Sequence, residues 1–523
     1  MRSKVIKNTV LALVCILFAA AFVALYSKST SPFMKGFWGQ DSAFFILVGQ
    51  GMTKGLLPYR DFFDMKGPYL FFIQFIGQKL YYGRTGAYIV QTINMSVCLF
   101  IISKISNLVS SKRIWLHRFI CYLFSFLILA VTVQDGNLTE EYSLPAILIC
   151  LYFSLKYFKN AEEKKDYKHP LYVSAIYGAA VGFLSFIRIT NAATIGAVLV
   201  TVYLFMLVKK QIKNALLNLC TLMAGFVAVC AIPCIYFLSK HLLREMLYQV
   251  FVFGFAYSAE VSFKAKLINV FTEFKFFTLF LLLPVVICFI FREKWYVKLL
   301  SILSAFMLLF AVTLGNAYLH YFTLIVPHII LGLAAAFRNV RGRRRLAKNI
   351  TAIVFCALVL FFNREQLKNS CMDGAATTIG TQVYVSTNGG AASGLAKKFL
   401  SIPYIESHIY KEEWEQPQYE IAALIPDSEK GSVFCFGDNP WSRIYGMTRT
   451  LPANRYMDWQ GHYLRLIPGL EDELASWIND DGPIWIITPK DGNTPSQKIT
   501  DTITANYEQV LENRKFKVFH RNA

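Results

Sequence analysis

A short stretch near the N-terminus concentrates residues able to do acid–base and phosphate chemistry. It runs Gly36-Phe-Trp-Gly-Gln-Asp41 and then Gly55-Leu-Leu-Pro58-Tyr59-Arg60-Asp61-Phe-Phe-Asp64-Met-Lys66-Gly67-Pro68. Turn formers, acids and bases alternate here with bulky aromatics, directly after the apolar segment Thr9–Tyr26. Charge kept at a membrane edge is costly and usually functional. The carboxylates of Asp41, Asp61 and Asp64 can take a proton, and the cations of Arg60 and Lys66 can hold an anionic group. Each also has a plainer duty. Asp41 suits an N-cap for a helix beginning at Ser42. Asp61 and Asp64 suit ion-pair partners for Arg60 and Lys66.

Further candidates lie downstream. One cluster is Asp135-Gly-Asn137-Leu-Thr139-Glu140-Glu141. Arg188 and Asn191 sit at a break between two apolar runs, and Asn316, Tyr318, His320 and Tyr321 follow another run. Residues 239–273 are amphipathic and aromatic, with Arg244, Glu245, Tyr248, Tyr257 and Glu260. The plainer readings are a solvated turn for Glu140 and Glu141, a snorkelling end for Arg188, and a structural hydrogen-bonder for His320. Asn137-Leu-Thr139 is formally a glycosylation sequon, but a short loop at a membrane is a poor acceptor.

Apolar segments must position these groups. The 523-residue chain is 55% hydrophobic and only 16% charged, against about 45–50% and about 25% for soluble domains. Eleven spans are expected, near 8–26, 87–108, 118–134, 142–158, 171–187, 192–208, 215–238, 274–291, 297–314, 321–337 and 349–363. The first run is long for a signal-peptide core, which favours an uncleaved span. Residues 68–82 decide the topology. If they lie in the interface without crossing, the basic groups share one side: Arg2, Lys4 and Lys7; Lys112, Arg113 and Arg118; Lys156 to Lys168; Lys209, Lys210 and Lys213; Arg292, Lys294 and Lys298; Arg338 to Lys348. The turns Gln134–Glu141 and Gly315–His320 carry no Lys or Arg. The positive-inside rule then places the N-terminus in the cytoplasm and the C-terminus outside. The net charge of +20 is accounted for by this bias, without nucleic acid.

After residue 363 the composition turns polar. Strand-like runs at Ser432–Phe436, Ile484–Thr488 and Phe516–His520, with a helical pattern at Leu470–Ile478, predict an external α/β domain over 364–523. Most of the eleven cysteines lie in apolar segments and behave as small hydrophobes. Cys230 and Cys234 share a helix face without further ligands, so a metal site is not expected. Cys371 and Cys435, in the soluble region, could pair. In this topology every unusual polar group converges on the outer face, as a lipid-linked substrate requires. A carboxylate takes a proton, cations hold a phosphate leaving group, and an apolar groove takes the lipid.

The pattern resembles the C-type (GT-C) membrane glycosyltransferases, most of all bacterial relatives of glycosyltransferase family 39. That group holds the protein O-mannosyltransferases and the lipid A aminoarabinose transferase. The resemblance is carried by Trp38-Gly-Gln-Asp41, the Gly55 to Pro68 run, Asn137-Leu-Thr-Glu140, Arg188 with Asn191, and Ala317-Tyr-Leu-His320-Tyr-Phe. It covers residues 1–340 well and the tail only in general layout. It implies a GT-C-like catalytic domain over 1–363, with residues 27–86 forming an external first loop with interfacial helices. It implies an inverting, polyprenyl-phosphate-sugar-dependent hexosyl- or pentosyltransferase of the bacterial plasma membrane. The acceptor would be a hydroxyl on a cell-envelope glycan, lipid or protein, and no cofactor would be required. Asp41 would be the general base, with Glu140 as a second catalytic acid, since Ser42 stands where many members have a second acid. Arg60, Asp64, Lys66, Arg188, Tyr318 and His320 would bind donor phosphate or sugar. A flippase for lipid-linked sugar and an O-antigen-type polymerase are the alternatives. The first favours charge inside its spans and internal repeats; the second favours an Arg-rich external loop. Here charge clusters on one face, and the Arg-rich run 338–348 falls inside.

Overall fold

A computed structural model describes residues 2–34, 38–109, 114–315, 318–338, 345–388, 394–411, 416–437, 441–458, 460–492 and 494–522. Gly36, Lys112, Arg113, Asn316, Ala317, Arg341, Arg343 and Arg344, named above, lie outside the described residues. Each of the eleven expected apolar segments is helical. Among the described residues, seven helical stretches are long and apolar enough to cross a membrane, or eight if the bent pair Phe263–Glu273 and Phe277–Ile290 counts as one span. The number is below eleven partly because Leu171–Val208 forms one 38-residue stretch. The chain is a multi-pass membrane protein.

The first nine helices run α1 (Arg2–Tyr26), α2 (Gln40–Thr53), α3 (Pro68–Leu80), α4 (Arg84–Val109), α5 (Ile114–Thr132), α6 (Thr139–Lys164), α7 (Leu171–Arg188), α8 (Ala193–Val208) and α9 (Ile212–Ser239). At 13 residues, α3 is about 20 Å long, short of the ~30 Å hydrocarbon layer. Pro68 opens α3 at its first turn, where the missing N–H costs nothing. The turns between α5 and α6 and between α7 and α8 lie at one end of the bundle. The basic turns holding Lys164, Lys165 and Lys168, or Lys209 and Lys210, lie a helix length away, about 39 Å for the 26 residues of α6.

The C-terminal part holds a four-stranded sheet, β1 (Val433–Cys435), β2 (Trp485–Pro489), β3 (Tyr507–Glu512) and β4 (Phe516–Arg521), in the order β1-β2-β4-β3. β1 and β2 pair in parallel, with Val433 opposite Trp485, across a helical crossover. β4 pairs antiparallel with β2 and β3. Central β2 is buried along its whole length, whereas edge β3 is mostly exposed. The three expected strands and the helix at 470–481 are present, and β3 is additional. Cys371 and Cys435 are both free, Cys435 being buried.

Packing does not stop at residue 363. One hydrophobic core joins Phe44, Phe45, Tyr59, Phe62 and Phe63 of the N-terminal region to Tyr456, Tyr463 and Ile486 of the C-terminal domain. The helix Arg364–Asn388 lies against α1, where the Tyr26 hydroxyl donates to the Cys371 carbonyl at 3.0 Å.

Candidate active site

α2 begins after Gly39, and its Ser42–Gly49 run is buried. The N-cap is Gly39 and makes no side-chain cap bond, so Asp41 stands in the first turn and is not the cap. A carboxylate there is favoured by the helix dipole and its oxygens stay available.

The loop to α3 is a tight, internally bonded turn. Tyr59 is fully buried and takes a left-handed φ of 70°. Its hydroxyl donates to the Lys66 carbonyl at 2.8 Å. Gln249 locks this loop from a π-helical turn, Tyr248–Phe253. Its amide donates to the Tyr59 carbonyl at 2.9 Å and accepts from the Asp64 N–H at 3.1 Å. The Asp64 carboxylate accepts from the Lys66 N–H. Burial pushes the Asp64 carboxyl up, opposed by the charge of Lys66. Burial works against the Lys66 ammonium, but Asp64 and Asp41 outweigh it and hold its pKa above the ordinary lysine value. Lys66 Nζ lies 5.9 Å from the Phe45 ring centroid.

Gly67 brings this loop onto α7. Its N–H donates to the Ile187 carbonyl at 3.0 Å, and a Cβ there would fall 2.1 Å from the Phe186 carbonyl oxygen. α7 is kinked at Phe186. Arg188 is extended (φ −165°) between α7 and the 3-10 turn Ile189–Ala192, which turns its side chain out of the helical register. The guanidinium donates to Glu140 at 3.0 Å and lies over the Tyr321 ring at 3.7 Å. A Cβ on Gly315 would fall 2.5 Å from Arg188 Nη2, so glycine leaves room for the cation.

These parts surround a cavity of about 390 Å³. Asp41, Asp64, Lys66, Arg188, Tyr318 and His320 line it, with Gln134, Asp135, Tyr257, Tyr321, His462 and Tyr463. Phe44, Phe45, Val250, Phe251 and Phe255 form an apolar side. Burial also pushes up the Asp135 carboxyl, against the charges of Lys28 and Arg443. The C-terminal domain closes the top. The Phe63 N–H donates to the Arg455 carbonyl at 3.0 Å, and the Tyr463 hydroxyl donates to the Phe63 carbonyl at 3.1 Å. No group of three or more His, Cys, Asp or Glu among the described residues is placed to hold a metal ion.

Two expected site residues stand apart from the cavity. Arg60 is half exposed and pairs with Asp61 at 2.8 Å, a surface pair. The Glu140 carboxylate is buried behind Arg188 and does not line the cavity. It is placed to hold the Arg188 cation. Sequence reasoning missed Gln134, Gln249, His462 and Tyr463. The left-handed backbone at Gln134 and the π-helical turn at Gln249 leave no residue-type signal. The two C-terminal residues arrive only through tertiary packing.

No family model matches this sequence. No curated protein matches it either. Its structure is similar to that of ArnT from Cupriavidus metallidurans bound to undecaprenyl phosphate. The TM-score is 0.57 at 13% identity, covering 100% of this chain and 98% of ArnT. Apo ArnT from the same organism gives a TM-score of 0.53 at 13% identity, covering 99% and 98%. The fold is therefore ArnT-like and of the GT-C type, with a small C-terminal sheet.

Proposed function

We propose that this protein is a glycosyltransferase that moves a sugar from a polyprenyl-phosphate donor to a cell-envelope hydroxyl, inverting the anomeric centre. The observation that carries the reading is one cavity holding an uncapped carboxylate, two cations and an apolar wall together. Asp41 removes the acceptor proton and the oxygen attacks C1. The C1–O bond to phosphate breaks as the new bond forms, and the lipid phosphate leaves with the electron pair. Lys66 and Arg188 neutralise it. The apolar side formed by Phe44, Phe45, Val250 and Phe251 suits the start of a prenyl chain, and undecaprenyl phosphate is the ligand bound to ArnT. The clustering of the site residues away from the basic turns supports an extracytoplasmic site in a bacterial plasma membrane.

The test is transfer of a labelled sugar from synthetic polyprenyl-phosphate donors by the protein in proteoliposomes, alongside mass spectrometry of envelope glycans from cells with and without it. Appearance of labelled product and loss of one glycan modification are expected. Unchanged glycans together with no transfer would remove the transferase reading.

A further inference from the structure

The turn between α5 and α6 is built from left-handed backbone: Gln134 (φ 51°), Gly136 (φ 82°) and Asn137 (φ 64°). At Gly136 the reason is close approach, since a Cβ would meet Ser27 Oγ at 1.8 Å. At Asn137 it is a side-chain network with Ser42, Gln74 and Tyr142. Gln134 takes its positive φ two residues past the end of α5, where Lys210, His241 and Arg292 also follow their helices in the left-handed region. The backbone there would accept glycine readily, so the glutamine is distinguished by its side chain. The Gln134 side chain lines the cavity, and its amide oxygen lies 3.0 Å from His320 Nδ1. An amide oxygen only accepts, so Nδ1 carries the proton. The imidazole plane is held by Tyr318, nearly parallel at 5.7 Å, and by Tyr321, edge-on at 4.6 Å. His320 lines the cavity, and among the described residues no side chain pairs with Nε2. The charged groups that reach His320 are Asp41 on α2, Lys66 in the first loop, Glu140 on α6 and Arg188 at the end of α7.

We propose that Gln134 is a positioning residue that fixes His320 as the Nδ1–H tautomer, so that Nε2 offers a lone pair to a substrate hydroxyl and not to the phosphate. The chemistry separates the two ligands. A phosphodiester carries no proton at neutral pH and only accepts, as does Nε2 of a neutral imidazole. A sugar hydroxyl donates. His320 therefore orients a hydroxyl of the reacting sugar or of the acceptor, while Lys66 and Arg188 meet the phosphate. Which molecule owns the hydroxyl rests on the transferase reading; the Gln134–His320 pairing does not.

The pairing is tested without substrate, by pH-dependent acylation of His320 with diethyl pyrocarbonate, followed by peptide mass spectrometry. The reagent attacks neutral imidazole. Gln134→Glu places a carboxylate on Nδ1–H, which favours imidazolium and should raise the reaction midpoint by about one pH unit. An unmoved midpoint would overturn the pairing. The role is tested with Gln134→Gly, which suits the left-handed backbone and should keep or raise thermal stability. Sugar transfer should fall about tenfold, as for loss of one orienting hydrogen bond, with polyprenyl-phosphate binding unchanged. Parental transfer by this variant, or weakened phosphate binding, would overturn the role. If the parent protein transfers no sugar, the reaction assignment fails, while the acylation titration still decides the pairing.

Discussion

Asp41 stands free of the capping bond that would have explained it structurally. Asp41→Asn should fold with parental thermal stability and lose transfer by about 10²–10⁴-fold; near-parental transfer would exclude it as the base. Glu140 behaves differently because its carboxylate is buried against Arg188. Removing one partner of a buried pair strands the other charge. Glu140→Ala should therefore cost about 3–5 kcal/mol of stability, read by thermal unfolding, and Glu140→Gln much less. A neutral Glu140→Ala would show that Arg188 does not depend on it. Lys66 makes a pH prediction. Its folded-state pKa is held above the ordinary value. The stability this adds is present below the unfolded-state pKa and is lost as pH rises through the folded one. Binding of a polyprenyl phosphate should thus stay level from about pH 7.5, where the phosphate has lost its second proton, to about pH 9. A decline across that window would mean the ammonium is already losing its proton. The cavity-lining residues that the sequence singles out, Asp41, Asp64, Lys66, Arg188, Tyr318 and His320 among them, are those whose charge or ring chemistry is unusual beside a span. Arg60 looked equivalent, because type and spacing do not say which side of a tight turn a side chain leaves by.

Among the elements, the join between the first loop and α7 sets the spacing of the two cations. Gly67 has an ordinary φ of −74°, so the constraint is contact and not backbone freedom. Gly67→Ala would press its methyl into the Phe186 carbonyl, and backbone cannot give way as a side-chain end can. A loss of about 1–3 kcal/mol is expected, with weaker polyprenyl-phosphate binding than in the parent. Parental stability and binding together would show the join to be looser than described. The helices themselves were legible as apolar runs, and the expectation that 68–82 does not cross is matched by a helix of only 13 residues there. The break at Arg188 was visible as a gap between two runs. The π-helical turn at Tyr248–Phe253 was not, since it depends on Gln249 reaching across to Tyr59 and Asp64.

At the scale of the whole molecule, the charge distribution predicts sidedness. With Lys210→Cys and Asp501→Cys, a membrane-impermeant thiol reagent on intact cells should label position 501 above the parental background and leave 210 unlabelled. The reverse would invert the molecule and remove the extracytoplasmic site. The α/β character of the tail was legible from three apolar runs. Its role as the roof of the cavity was not, because Phe63 meets Arg455 and Tyr463 only in the folded chain. That last contact spans 400 residues of sequence. At about 5–20 residues per second of synthesis, the first loop waits roughly 20–80 s for its roof. During that interval Phe253 can already cover one side of Phe63, while the sides met by Tyr456 and Tyr463 stay open. The cavity of the growing polypeptide is therefore incomplete until His462 and Tyr463 have been made and have docked.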